Sequence, residues 1–325
     1  MEMKRIFALL LALCLLLSGC GGVAEPTETQ PATEEPAETT APTQAQEDPA
    51  ADGVLTVLLI GNSFATGFPD ELAGMLDAVD MEARIYSVYY PGCTTQKHWQ
   101  WKQSAKANYR FRHHVQNGED IDVGIVDSND PLVIHNAVDL QYCLDAENWD
   151  VISLQQHFKP EITGNFEQAR YATKDHADKM YDFLKQEFPQ AKLVWYETWT
   201  YDVGWKNSAG SFGIEDGATQ AAHQDIINRV SADIVTENGI TMIPCGAAWS
   251  IARNEYDLGQ LTRGDMYHDG EQGGQYLNAC VWYESLTGLD CRENTWRPTY
   301  SSYEDAKFAS LREIAHRAVE ENTLK

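Results

Sequence analysis

Five short apolar runs, separated by segments of helical length, constrain this chain more than any other feature. They are "VLTVLLI" (54–60), "RIYSVYY" (84–90), "DVISLQQ" (150–156), "KLVWYET" (192–198) and "ITMIPC" (240–245), bounded by Gly, Pro, Asn or Asp. Two intervening segments read as amphipathic helices. In 165–188, Asn165 stands at the cap, Ala169, Ala172, His176, Met180, Phe183 and Leu184 recur at helical spacing, and Pro189 stops the element. In 217–238, Ile226, Ile227, Val230 and Ile234 recur and Gly239 ends it. Such alternation means βαβ units, hence an α/β fold of three layers with a mostly parallel sheet. Ligands of such sheets bind beyond the carboxyl ends of the strands. In "VLLIGNSF" (57–64), Ser63 follows the first strand there, either as a nucleophile or as the cap of a helix carrying Leu72, Met75 and Leu76.

Residues 93–149 interrupt the alternation. "HWQWK", "YRFRHH" and "DSNDP" show little periodicity and predict a long irregular insertion near the carboxyl ends of the strands. His98, His113 and His114 either line a cleft there or pack locally. Asp127 and Asp130 form only a fragment of a calcium loop.

The chain begins with Lys4 and Arg5 before "IFALLLALCLLL", a secretory signal too short to span a bilayer comfortably. Leu17-Ser18-Gly19-Cys20 resembles the bacterial lipobox, which implies that residues 1–20 are a lipoprotein signal and that Cys20 carries the lipid. Residues 21–53 hold no Lys, Arg or aromatic residue and cannot bury enough apolar surface to offset chain entropy. They read as a disordered, acidic tether rich in Pro, Thr and Glu, and residues 54–325 as one domain. The formal net charge is −25, and only eight acids lie in the tether, so the domain itself is strongly acidic. That argues against nucleic acid as a partner and leaves the lipid as the only membrane attachment. Past Cys20 stand Cys93, Cys143, Cys245, Cys280 and Cys291, with no Cys-x-x-Cys spacing and so no indication of zinc or of a disulfide framework, although an oxidising exterior leaves room for one bridge.

Near the other end, "GDMYHDGEQGGQYLNACVWYESLTG" (264–288) sets Asp265 and His268 three apart before a helix with a buried stripe of Tyr276, Leu277, Cys280, Val281 and Leu286, ending at Gly288. An Asp that accepts from one imidazole nitrogen leaves the other free to take a proton from a serine. The plainer alternative is that Asp265 and Asp269 cap the helix start. The glycines of "GEQGGQ" (270–275) read as a close-packed turn. Trp195, Trp199, Tyr201 and Trp205 suit either sugar stacking or core filling, and Glu197 either substrate contact or a loop cap.

Gly-Asn-Ser-Phe after the first strand, Gly92 after the second, an amide after the next core strand and Asp-x-x-His before the last helices together resemble the SGNH (GDSL-type) hydrolase superfamily, over most of 54–288. "LLIGNSF", "WDVISLQQ" and the 264–288 stretch look closer still to a bacterial lipoprotein subfamily catalogued as a domain of unknown function. The resemblance implies a flavodoxin-like α/β/α sandwich with a five-stranded, mostly parallel sheet. It also implies Ser63 as nucleophile, His268 as base, Asp265 as its orienter, and the N–H groups of Ser63 and Gly92 as oxyanion donors. The superfamily's third donor is an Asn in a Gly-x-Asn-Asp block. Here Ser153-Leu154-Gln155-Gln156 stands instead, so Gln155 is the expected donor and Gln156 its alternate. Gly61-Asn62-Ser63-Phe64-Ala65 is one residue short of the α/β-hydrolase elbow, but several strands precede that elbow and only one precedes Ser63.

The expected function is an extracytoplasmic, lipid-anchored serine esterase that needs no metal or organic cofactor and cleaves O-acyl, above all O-acetyl, esters on a small molecule or glycan. A carbohydrate-binding lipoprotein that is a pseudoenzyme of this fold, or an O-acyltransferase with the same triad, would share most of these features.

Overall fold

Strand β1 (Val54–Gly61) is buried from Leu55 onward, as an interior strand of a parallel sheet must be. In the computed structural model, which describes residues 53–114, 133–271, 273–299 and 304–323, it is the centre of a seven-stranded sheet. Cys20, the segment 1–52, and Asp127 and Asp130 lie outside the described residues. The other strands are β2 (Glu82–Tyr89), β3 (Tyr109–His114), β4 (Val133–Val138), β5 (Val151–Gln155), β6 (Lys192–Tyr196) and β7 (Thr241–Ile243). The sheet order is β4-β3-β2-β1-β5-β6-β7. β2, β1, β5, β6 and β7 run parallel, with Gly61 opposite Tyr89 and Leu58 opposite Ile152. These are the five strands expected, in flavodoxin-like order.

The insertion is more regular than expected. β3 and β4 add two antiparallel strands beside β2. "YRFRHH" alternates after all, with Tyr109, Phe111 and His113 buried and Arg110 and Arg112 half-buried between them. His98, His113 and His114 prove to be packing residues. His98 Nδ1 lies 2.8 Å from the Tyr109 hydroxyl, His113 stacks on Tyr86, and His114 sits against Ser87.

Nine helices complete the described residues: α1 (Pro69–Asp77), α2 (Thr95–Gln103), α3 (Leu140–Leu144), α4 (Pro160–Thr163), α5 (Phe166–Glu187), α6 (Gly217–Asn238), α7 (Cys245–Glu255), α8 (Gly274–Thr287) and α9 (Asp305–Thr323). Alternate residues of β1 feed two cores. Leu55, Val57 and Leu59 pack with α1, α7, α8 and α9, while Leu58 and Ile60 pack with α3, α5 and α6.

Asn165 caps α5 by accepting from the Gln168 N–H, and Gly239 ends α6 at φ 59°. The buried face of α5 is rotated from the expected stripe. Thr173, Lys174, Ala177 and Tyr181 are buried in place of Ala172, His176 and Phe183. Lys174 is admitted there by ion pairs to Asp178 and Glu237. α8 is buried almost all round, because α1, α7 and α9 all pack on it. A Cβ on Gly274 would sit 2.3 Å from the Leu261 carbonyl, which explains the glycine turn into this helix. The five cysteines from Cys93 to Cys291 are all free and buried.

Candidate active site

The polar groups singled out by the sequence gather beyond the carboxyl ends of β2, β1, β5 and β6, the four central parallel strands. Ser63 opens a single 3-10 turn, Ser63–Ala65, whose cap is Asn62 rather than Ser63. Asn62 Oδ1 accepts from the Phe64 N–H at 3.1 Å, and its Nδ2 donates to the Cys93 carbonyl at 2.7 Å. Ser63 is therefore not needed as the cap. Its half-buried side chain makes no hydrogen bond among the described residues.

Tyr90-Pro91-Gly92-Cys93 is a tight turn closed by the Cys93 N–H on the Tyr90 carbonyl at 3.1 Å, with Gly92 at φ 60°. Proline second and a left-handed glycine third are what a type II turn requires. Since Asn62 grips Cys93, the turn carrying Gly92 is locked to the turn carrying Ser63. Neither the Ser63 nor the Gly92 N–H is taken by an acceptor among the described residues.

Asp265 and His268 lie at the tip of the loop 261–270. That loop is cross-linked by the Gly270 N–H on the Leu261 carbonyl and the Arg263 N–H on the His268 carbonyl, both 2.8 Å. Met266 takes φ 70° at the tip, a costly conformation for a side-chain-bearing residue, while its carbonyl is held by the Asp202 N–H at 2.8 Å. Asp265 Oδ2 lies 2.6 Å from His268 Nδ1, and Oδ1 accepts from the N–H groups of Tyr267 and His268. Burial raises the Asp265 pKa, but these hydrogen bonds outweigh it and hold the carboxyl below its usual value. The imidazole is thus fixed through Nδ1, and Nε2 is buried with no partner. Its ring centre is 5.7 Å from that of Phe64, the residue after Ser63.

Asp269 does not cap α8. It is buried, accepts from Asn278 Nδ2 at 3.2 Å, and burial pushes its pKa up to about 7. Trp195 and Trp199 are core residues, the latter stacked 4.3 Å from Trp249 and donating to the Tyr267 carbonyl. Trp205 is half-buried and packs edge-on against Tyr201. Glu197 accepts from the Ala247 N–H in the first turn of α7 at 3.0 Å.

Each of the two glutamines has a partner of its own within the fold. Gln155 is the last, fully buried residue of β5, and its Nε2 donates to Asn62 Oδ1 at 2.9 Å. A Cβ on Gly61 would lie 2.7 Å from that nitrogen, which places the amide under the β1 backbone. Gln156 Oε1 accepts from the Thr95 N–H at 2.9 Å and fastens α2. Both act as braces. The residue after them is His157, which nothing in the sequence marks, since an imidazole is not the amide that the resemblance implies.

A second Ser-His-Asp chain exists. Ser87 Oγ is 3.0 Å from His114 Nε2, and His114 Nδ1 is 3.1 Å from Asp70 Oδ1. Ser87 is 1% exposed and lies in mid-strand, paired with Leu59 on one side and Arg112 on the other, so substrate has no approach and neighbouring strands use the amides. Glu284, Asp290 and His316 also cluster, but Glu284 meets His316 Nδ1 at 2.8 Å and Arg292 takes Asp290, an ion-pair network complete in itself.

Fold and site together define a three-layer α/β protein with a serine and an aspartate-held histidine at the carboxyl end of its parallel sheet. The chain belongs to the family described as "Domain of unknown function (DUF4886)", whose model matches residues 56–318. It is similar to a DUF4886 family protein from Bacteroides uniformis ATCC 8492, at TM-score 0.68 and 23% identity over 82% of this chain and 95% of that one. A putative GDSL-like lipase from Parabacteroides merdae ATCC 43184 gives TM-score 0.44 and 13% identity over 71% and 95% of the two chains. A catalytic mutant of an acetylxylan esterase from Geobacillus stearothermophilus gives 0.41 and 12% over 75% and 95%. No curated protein matches the sequence.

Proposed function

We propose that this protein is an extracytoplasmic serine esterase, anchored through Cys20, that removes O-acyl groups, above all O-acetyl, from carbohydrate. The observation that carries the reading is His268. Asp265 fixes its Nδ1 at 2.6 Å, and its buried Nε2 is left without a partner beside the Ser63 turn. Ser63 Oγ attacks the ester carbonyl as His268 Nε2 takes its proton, and the N–H groups of Ser63 and Gly92 hold the oxyanion. The proton then passes to the leaving alcohol, and water, activated by the same imidazole, releases the acid from the acyl-enzyme. The carbohydrate part is supported by an acidic spacer suited to reaching polymers outside a cell, and by the half-buried Trp205 and Tyr267 near the site.

The test is a panel of p-nitrophenyl esters of increasing acyl length, run on the wild type, Ser63→Ala and His268→Ala. The acetate should be turned over fastest, and each variant should lose roughly three or more orders of magnitude while staying folded. A wild type inert on every ester, or a Ser63→Ala variant that keeps its rate, defeats the reading.

A further inference from the structure

Gln155 Nε2 and Gln156 Oε1 each have a partner of their own, Asn62 and Thr95. His157 follows directly, in the loop that leaves β5 next to β1. It is 7% exposed, and its Nδ1 is buried with no partner. A Cβ on Gly92 would lie 3.6 Å from that Nδ1, and the imidazole centre is 5.3 Å from that of Phe64. The nitrogen therefore borders the turn that carries Gly92, and its ring packs beside Phe64, the residue after Ser63.

The Tyr201 hydroxyl bears on which ring nitrogen carries the proton. Nε2 lies 2.6 Å from the Tyr201 hydroxyl. Burial drives the Tyr201 phenol far above its ordinary pKa, so it keeps its proton, and the hydroxyl has no other hydrogen-bond partner among the described residues. Burial first, then Lys159 and His268, lowers His157 to about 3, so the ring is neutral. A neutral imidazole carries one N–H, and a phenol donating to Nε2 puts it on Nδ1.

We propose that His157 is the third oxyanion donor, presenting Nδ1–H to the developing oxyanion beside the N–H groups of Ser63 and Gly92, with Tyr201 as the positioning residue that sets its tautomer. This rests on the reading of Ser63 as nucleophile. A neutral imidazole N–H suits the task, since it gains strength as charge grows on the oxygen and adds no competing cation next to His268.

The experiment compares His157→Ala, His157→Asn and His157→Gln on p-nitrophenyl acetate, together with nitrogen-15 histidine NMR of the free wild type and of Tyr201→Phe. His157→Ala should lose roughly 10²- to 10³-fold in kcat with KM nearly unchanged. An Asn amide nitrogen reaches the place of Nδ1 and a Gln one that of Nε2, so Asn should recover at least about ten-fold over Ala and Gln should not. NMR should show the His157 proton on Nδ1 in the wild type and a mixture of tautomers in Tyr201→Phe. A folded His157→Ala with wild-type kcat, a Gln variant better than Asn, or a proton on Nε2 overturns the assignment. If His157→Ala does not fold, the ranking of Asn against Gln and the NMR tautomer decide. An inert wild type overturns the nucleophile reading and this inference with it, whereas an active wild type beside an active His157→Ala overturns this inference alone.

Discussion

Asn62→Ala removes the residue that ties three parts of the site together. The Asn62 side chain is fully buried, donates to the Cys93 carbonyl, accepts from Gln155 Nε2 and caps the Ser63 turn through the Phe64 N–H. Alanine leaves the Cys93 carbonyl and the Gln155 amide buried without a partner, each worth about 1–3 kcal/mol, and loses a cap worth about 1 kcal/mol. The summed cost is roughly 3–7 kcal/mol, which for a domain of this size lowers Tm by on the order of 10 °C. Thermal unfolding followed by circular dichroism reads the stability. Ester hydrolysis reads the coupling, since the turn carrying Gly92 is freed and kcat should fall by at least about ten-fold at nearly constant KM. A Tm within about 2 °C of the wild type would refute the reasoning, because no relaxed arrangement should satisfy both orphaned groups so cheaply.

Ser87→Ala should leave kcat within about two-fold of the wild type and cost about 1 kcal/mol of stability, as expected for a buried hydrogen bond without substrate access; a loss matching that of Ser63→Ala would show that the wrong triad has been chosen. Glu71 is buried, and burial is the main cause that raises its pKa to about 8. The folded state therefore favours the protonated acid, and stability is lost as pH rises from the unfolded value toward 8 and above. The Tm of Glu71→Gln relative to the wild type should accordingly climb between pH 5 and pH 9, and a difference independent of pH over that range would contradict the assignment.

The parallel sheet was legible because its strands are buried on both faces and so appear as continuous apolar runs, "VLLI" in β1 being the clearest. The edge pair was not. In "YRFRHH" the period-two signal is carried partly by histidines, which weigh as polar in sequence but are buried here through Tyr109, Tyr86 and Ser87. The pairing of Asp265 with His268 was readable because they stand three apart in one tight loop. His157 was not, because two facts absent from the sequence decide it: β5 ends at Gln155, which buries that amide, and Tyr201 arrives from 44 residues away to fix the ring. The same limit applied to Asn62, whose role depends on Cys93 and Gln155 meeting it across three strands' ends.

The central claim is that Ser63 is a nucleophile activated by His268, and covalent labelling tests it most directly. The purified protein is treated with a fluorophosphonate and the modified peptide located by mass spectrometry. The account predicts a single adduct on Ser63, absent from Ser63→Ala and formed far more slowly in His268→Ala. A folded protein that takes no label, or one labelled on another residue, would contradict it.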